Sequence, residues 1–262
     1  MEQWLAFYNY FLLSMTLLSV IIFIVLQFIT VGYGMTSNNR WGMSINSRLG
    51  WVIMELPVFI LMTVLYAYSI HQQIKPFNIV TCIIFLLFQA HYIERTFVFP
   101  SLMRSTSKMP ISVIALGIVF NSCNAYMQGG WLFYFSPADA YPIYWLYSPQ
   151  FIIGTLLFIA GMTINIHSDE IIRKLRKDKN DTNYYIPRGG LFKYVNSANY
   201  FGEILEWIGF AVLCWSAAGW VFVFWTLANI LPRASAVYER YTQFFGKEFT
   251  EMKRYKIFPF IY

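Results

Sequence analysis

The sequence predicts an all-α polytopic membrane protein with seven transmembrane helices, its N-terminus outside or lumenal and its C-terminus cytosolic. Three observations carry that expectation: a composition too apolar for water, seven stretches long enough to cross hydrocarbon, and a one-sided distribution of Lys and Arg. Of 262 residues, 58% are hydrophobic, 20% aromatic and only 12% charged. A soluble domain carries about 25% charged residues, because water must wet its surface. Here lipid must be the solvent for most of the surface.

A helix needs about 20 apolar residues to cross the hydrocarbon. Candidate spans lie near 5–31, 51–70, 78–99, 110–128, 144–166, 200–217 and 219–237. The first is too long for a signal-peptide core and no small-residue cleavage site follows, so it is read as a retained span. The last two are nearly continuous and predict a tight hairpin around Ala217–Gly219. With seven spans, alternate connections share a side, and one side then collects 18 of the 19 Lys and Arg. That set runs from Arg40 and Arg48 through Lys177 and Lys179 to the C-terminal cluster, and only Lys75 falls opposite. By the positive-inside rule the basic side is cytosolic. On the other side, 129–150 is rich in Trp and Tyr, with Asp139 as its only charge, and reads as a loop on the membrane surface.

The formal net charge of +6 fits anionic lipid head groups, and the hydropathy sets nucleic acid aside as a partner. Cys82, Cys123 and Cys214 lie far apart in apolar stretches, with no CxxC and no metal-ligand spacing. They read as small core residues.

Ionisable side chains inside the spans carry the functional signal, because a charge at mid-bilayer costs at least ~2.5–3.5 kcal/mol and therefore lines a cavity or forms a pair. Span two has Glu55 just before Leu56 and Pro57; span three has His91, Tyr92, Glu94 and Arg95; span six has Glu203 and Glu206 after Asn199. Glu94 is as well explained by reaching for the interface, and the two later glutamates, on one helix face, by pairing with loop arginines. Glu55 has uniformly apolar neighbours, and packing of span two on span three would bring it near Tyr92. A carboxyl there is expected to hold its proton and act as a hydrogen-bond donor. A neutral acid beside a phenol suits polarisation of a carbonyl oxygen.

Span five continues as a basic helix over Asn165–Lys177, where Asn165, Asp169 and Arg173 form one stripe with Arg176 beside it. Pro187, Gly189 and Gly190 then impose a turn. There is no GxGxxG after a strand and no GxxxxGK[ST], so any nucleotide must be held by the bundle and its loops.

These motifs together resemble the steroid 5-alpha-reductase (3-oxo-5-alpha-steroid 4-dehydrogenase) family over nearly the whole length. The resemblance rests on ELP at Glu55–Pro57, HYxxRTF at His91–Phe97, GMxINIHSDxIIRxLRK at Gly161–Lys177 and YxIPxGGLFxYVxxANxxGEIxEWIG at Tyr184–Gly209. The segment Leu227–Ala234 and the terminal PFIY add to it. The resemblance implies one seven-helix domain over 1–262, with substrate-side helices in 1–110 and an NADPH-binding half in 144–262. It implies a monomer that takes a steroid or another lipophilic enone from the membrane, in a bacterial inner membrane or the endoplasmic reticulum.

By motif, Glu55 and Tyr92 correspond to the pair that binds the C3 carbonyl. Arg95, Asn165, His167, Asp169, Arg173, Arg176, Tyr184, Asn199, Glu203, Arg233 and Tyr241 correspond to cofactor-pocket positions. Two departures stand out: family members usually carry Gln where Met54 lines the substrate pocket, and the His-rich stretch of animal members after Arg233 reads ASAVYERY here. The alternatives are a related enoyl or sterol double-bond reductase, or a membrane methyltransferase of similar C-terminal architecture. Glu55 and Tyr92, in the first half, favour the steroid group. A transporter would set its polar residues along a through-path, whereas here they cluster toward one leaflet.

Overall fold

In the computed structural model, which describes residues 2–30, 41–104, 107–176, 181 and 183–262, six helices are long and apolar enough to cross a membrane. They are α1 (Glu2–Phe28), α2 (Ser47–His71), α3 (Ile79–Ile93) with its continuation, α5 (Ile111–Gly130) with its continuation, α6 (Pro149–Leu175) and α8 (Ala217–Phe245). The π-helical turn Glu94–Val98 carries α3 into α4 (Phe99–Leu102), and a second π-helical turn, Trp131–Phe135, extends α5. The stretch expected to form the sixth span is α7 (Ala198–Cys214), which at 17 residues is not among the six helices long and apolar enough to cross. A four-residue α9 (Lys247–Thr250) follows α8. The strands β1 (Ser44–Asn46) and β2 (Lys108–Pro110) pair antiparallel, with Ile45 opposite Met109, and join the starts of α2 and α5. Val31, Arg40, Lys177 and Lys179 lie outside the described residues.

Polar caps set the helix ends. Asn78 Oδ1 accepts from Val80 N at 2.8 Å and Thr81 N at 3.2 Å, starting α3. Ser148 Oγ accepts from Phe151 N at 3.1 Å to start α6, and Ser216 Oγ from Gly219 N at 3.1 Å to start α8. The expected hairpin is present two residues earlier than predicted. Trp215 takes a left-handed conformation, φ 47°, which ends α7 and lets α8 start at Ala217.

The 129–150 stretch is more ordered than a surface loop. Its first residues extend α5, and its rings serve α7: Tyr141 Oη donates to Cys214 O at 2.7 Å and Trp145 Nε1 to Leu213 O at 3.0 Å. These carbonyls end a helix and have no partner within it. At the opposite end, Arg48 donates to Met103 O, Arg104 Nη1 to Arg176 O at 2.9 Å, and Arg188 pairs with Glu248 at 3.1 Å. The basic connections are thereby tied to one another.

The tightest contact in the bundle is α6 against α7. Gly154 and Gly161 on α6 meet Gly209 and Gly202 on α7, each pair seven residues apart. A Cβ at Gly161 would stand 2.2 Å from Glu206 N, and one at Gly202 2.5 Å from Asn165 N. Both helices approach backbone to backbone, which only glycine permits.

Gly161→Ala therefore forces two helices apart and should destabilise the protein by at least about 1–3 kcal/mol, the usual cost of overpacking. Leu156→Ala, on the lipid-facing side of the same helix at 63% exposure, should leave thermal unfolding in detergent nearly unchanged.

Candidate functional site

Glu55 on α2 and Tyr92 on α3 are brought together by a third helix. Asn124 on α5 donates Nδ2 to Tyr92 Oη at 2.9 Å, and Tyr92 is buried at 2% exposure. One turn away, Asn121 donates Nδ2 to Glu55 Oε2 at 3.1 Å and to Met54 O at 2.7 Å. Glu55 lies within electrostatic reach of Tyr92, Arg95, His91 and Glu203. Met54 itself packs over Gly117 of α5, where a Cβ would stand 2.3 Å from its Cγ. The thioether thus fills the α2–α5 seam.

Asn121, Asn124 and Gln128 did not figure among the expected site residues. Their spacing of three and four places them on one stripe of α5, and all three are buried. The available signal was neutral: three amides recurring on one face of an apolar span. A second buried pair joins residues that the sequence flagged separately. His91 Nδ1 lies 2.8 Å from Glu206 Oε1, with side chains 7% and 1% exposed. His91 also packs edge-on to Tyr92 and Trp207, at centroid distances of 4.9 and 4.5 Å. The expectation that Glu206 pairs with a loop arginine gives way to this histidine, because the α6–α7 contact turns Glu206 into the core.

Arg95 is the hinge between the two halves of the site. Its Nη1 lies 3.3 Å from Asp169 Oδ2, and its guanidinium stacks on Trp51 at 4.9 Å and Phe99 at 4.5 Å. Asp169 Oδ1 accepts from Asn199 Nδ2 at 3.0 Å, and Asn199 O accepts from Asn165 Nδ2 at 2.9 Å. Arg95, Asn165, Asp169 and Asn199 therefore form one network across α3, α6 and α7, with Glu203 within electrostatic reach of Arg95. A guanidinium among carboxylates suits a buried setting because its planar donors satisfy several acceptors at once.

The other expected residues gather nearer the basic end. Arg233 Nε donates to Tyr200 Oη at 2.7 Å, and Tyr241 Oη donates to Tyr185 O at 3.2 Å. Tyr200, Tyr184, Arg176 and Arg254 are within electrostatic reach of Tyr241, and Arg173 is within reach of Asp169. His167 is placed differently. It is exposed and lies beside the glycine turn, where a Cβ on Gly190 would stand 3.0 Å from its Cε1. Gly189 and Gly190 both adopt positive φ, 92° and 48°, so that turn depends on glycine.

A further cluster borders this end. Backbone bonds from Asn196 N to Tyr255 O at 2.8 Å and from Ser197 N to Lys256 O at 3.1 Å dock the C-terminal segment beside α7. Asn196 and Ser197 are buried with side-chain amide and hydroxyl unpartnered, and so is Nη1 of Arg254. Burial, and then Arg188, pull the Arg254 guanidinium below its usual range. Among the described residues, no group of three or more His, Cys, Asp or Glu is placed to hold a metal ion.

The sequence profile of the family described as 3-oxo-5-alpha-steroid 4-dehydrogenase matches residues 107–262. Human 3-oxo-5-alpha-steroid 4-dehydrogenase 1 is 39% identical over 230 residues, covering 88% of this chain and 86% of that protein. The cattle protein of the same name is 34% identical over 244 residues, 93% of each chain. Steroid 5-alpha-reductase DET2 of Arabidopsis thaliana is 34% identical over 265 residues, 98% of this chain and 97% of that protein. The chain belongs to the 3-oxo-5-alpha-steroid 4-dehydrogenase family. Because these relatives are matched along most of their length, membership of that steroid dehydrogenase family extends to the α2 and α3 segments that precede the profile match.

Within this 3-oxo-5-alpha-steroid 4-dehydrogenase relative, neighbouring acids on α6 test the role of burial. Asp169→Asn leaves Arg95 buried without its direct partner and should cost up to about 3–5 kcal/mol. Glu170→Gln removes only an exposed i, i+4 pair with Lys174, which solvent already screens, and should leave the melt nearly unchanged. Thermal melts of the two variants in one detergent measure the difference.

Proposed function

We propose that this chain reduces the Δ4 carbon–carbon double bond of a 3-oxo-Δ4 steroid, using NADPH, to give the 5α-reduced ketone. Supporting this reading are the family, whose name specifies redox chemistry at the 4-position of a 3-oxo-5α-steroid, and the adjacency of two differently equipped half-sites. The observation that carries it is Arg95: three residues from Tyr92 on α3, it pairs with Asp169 on α6. One helical turn, about 5 Å, separates a carbonyl-gripping pair from a polar network suited to a dinucleotide.

When bound, the dinucleotide would supply a hydride to C5, and the proton that completes the reduction at C4 would come from solvent. Attack at the β-carbon of an enone moves negative charge onto the C3 oxygen. Donors from Tyr92 and from protonated Glu55 meet that charge, and fixed donors lower the barrier because they need no reorganisation as the charge develops. Phe88, Tyr92 and Trp207, with centroids 4.8 Å apart for Phe88–Tyr92 and 6.0 Å for Tyr92–Trp207, wall this region against water. Met54 leaves the substrate side one amide poorer than is usual in the family.

The residues present fit a phosphorylated dinucleotide. Arg173, Arg176 and Arg233 supply positive charge, Asn165, Asp169, Asn199 and Glu203 supply directional hydrogen bonding, and Tyr184 and Tyr241 supply flat surfaces. The unpartnered amide of Asn196, hydroxyl of Ser197 and Nη1 of Arg254 fit a ligand rich in acceptors and donors, since a buried polar group left unpaired costs about 1–3 kcal/mol. In this reading 1–110 forms the substrate side and 144–262 the cofactor half. His167 buttresses the glycine turn of the pocket wall. The molecule is a monomer that crosses the membrane seven times, α7 included, with a lumenal N-terminus and a cytosolic C-terminus. The animal and plant relatives favour the endoplasmic reticulum.

Purified protein in detergent should oxidise NADPH when given testosterone or progesterone. Glu55→Leu and Tyr92→Phe should each lower kcat by about 10²–10³, the cost of one oxyanion donor. Wild-type turnover in both would refute the assignment. Arg173→Gln and Arg176→Gln should raise the KM for NADPH about tenfold, or about 1.4 kcal/mol, with kcat for the steroid little changed.

A further inference from the structure

We infer that Asn124 and Gln128 are positioning residues that fix which way the Tyr92 hydroxyl points its proton. This rests on Tyr92 holding the substrate ketone. A tyrosine hydroxyl donates once and accepts, so a neighbouring amide can meet it in either of two ways. If the amide oxygen faces the hydroxyl, the phenolic proton is used inside the protein. If the amide NH2 faces it, the hydroxyl accepts and its proton is free for another acceptor.

Which way an amide faces is ordinarily ambiguous, because its oxygen and nitrogen have nearly the same shape. Here the ambiguity is removed at a backbone carbonyl, which can only accept. Gln128 Nε2 donates to Ala218 O at 3.0 Å, in the first turn of α8. That fixes the Gln128 amide, whose second N–H points to Asn124 Oδ1 at 3.3 Å. With its oxygen engaged, Asn124 must present Nδ2 to Tyr92 Oη, at 2.9 Å. Direction thus passes from Ala218 through Gln128 and Asn124 to Tyr92, and the phenolic proton is left for a ligand.

Burial makes the relay effective. Asn124 is 0% and Gln128 1% exposed, so bulk water does not compete for these bonds. Asn121 follows the same logic toward Glu55. It donates Nδ2 to the backbone oxygen of Met54, which fixes its amide, and also to Glu55 Oε2. Oε2 is thereby an acceptor, and a proton on Glu55 belongs on Oε1. A single face of α5 arranges both donors so that neither proton is used within the protein.

The test is a double-mutant cycle read with NADPH and testosterone. Asn124→Asp keeps the shape but, when ionised, offers only acceptors, and so captures the Tyr92 proton. It should lower kcat about 10- to 100-fold, the cost of misaimed catalytic groups, without changing the KM for NADPH. Activity should recover as pH falls and the introduced acid regains a proton it can donate. In a Tyr92→Phe background the same change should cost nothing further, because the relay acts only through the hydroxyl. Should Asn124→Asp fail to accumulate, Gln128→Met serves in the same cycle.

Equal losses with and without the Tyr92 hydroxyl in either variant, or a pH-independent loss in Asn124→Asp, would overturn the relay and leave a packing role. The functional reading fails separately, if Tyr92→Phe alone keeps wild-type turnover. Loss in Tyr92→Phe with none in Asn124→Asp or Gln128→Met would refute the relay alone.

Discussion

The backbone contact between α6 and α7 is the constraint on which the rest of the site depends. Lipid tails are as apolar as leucine, so two helices in a bilayer gain little from hiding apolar side chains against each other. What holds them is close van der Waals approach and the polar bonds that closeness allows. Gly154, Gly161, Gly202 and Gly209 supply the first, and the bonds from Asn165 to Asn199 and from Asn199 to Asp169 supply the second. The same approach brings the backbone of Glu206 against Gly161 and leaves its carboxylate facing His91. Widening the pair by one methyl group would disturb all of these at once.

Charge at the centre is handled by distribution. Arg95 has Asp169 as its direct partner, with Glu203, Glu94 and Glu55 within electrostatic reach. A buried cation facing several acids is costly to assemble, and such a group is retained for what it specifies more than for stability. Here it specifies the relative placement of α6 and the helix that carries Tyr92. The aromatic faces of Trp51 and Phe99 flank the guanidinium, so the arginine is held by packing as well as by charge.

Much of the fold was legible because hydropathy and helix length are local properties. The hairpin after Cys214 and the helical continuation of span five past Asn165 both follow from short-range chemistry. The family likewise was legible in long motifs, over Gly161–Lys177 and Tyr184–Gly209 above all. The 129–150 stretch was harder, since Trp and Tyr at a membrane boundary look alike whether they lie on lipid or bond the carbonyls of α7. Partner choice was the least legible. Glu206 and His91 were each visible as residues out of place in a span, but their pairing depends on a helix contact that glycine spacing alone does not specify. Asn121, Asn124 and Gln128 carry no charge, and a neutral amide in a long apolar helix raises no alarm until its neighbours are known.

The π-helical turn at Glu94–Val98 lets one helix serve two masters. Upstream of it Tyr92 looks to α5, and within it Arg95 looks to α6. The wider turn accommodates an additional residue, so the segment past Arg95 is rotated from the phase an uninterrupted α-helix would give it. Trimming one residue from this turn would restore regular winding and swing Phe99 and the approach to β2 around the axis. The site's geometry is therefore written partly in the length of a chain segment, a property that side-chain identity alone does not convey.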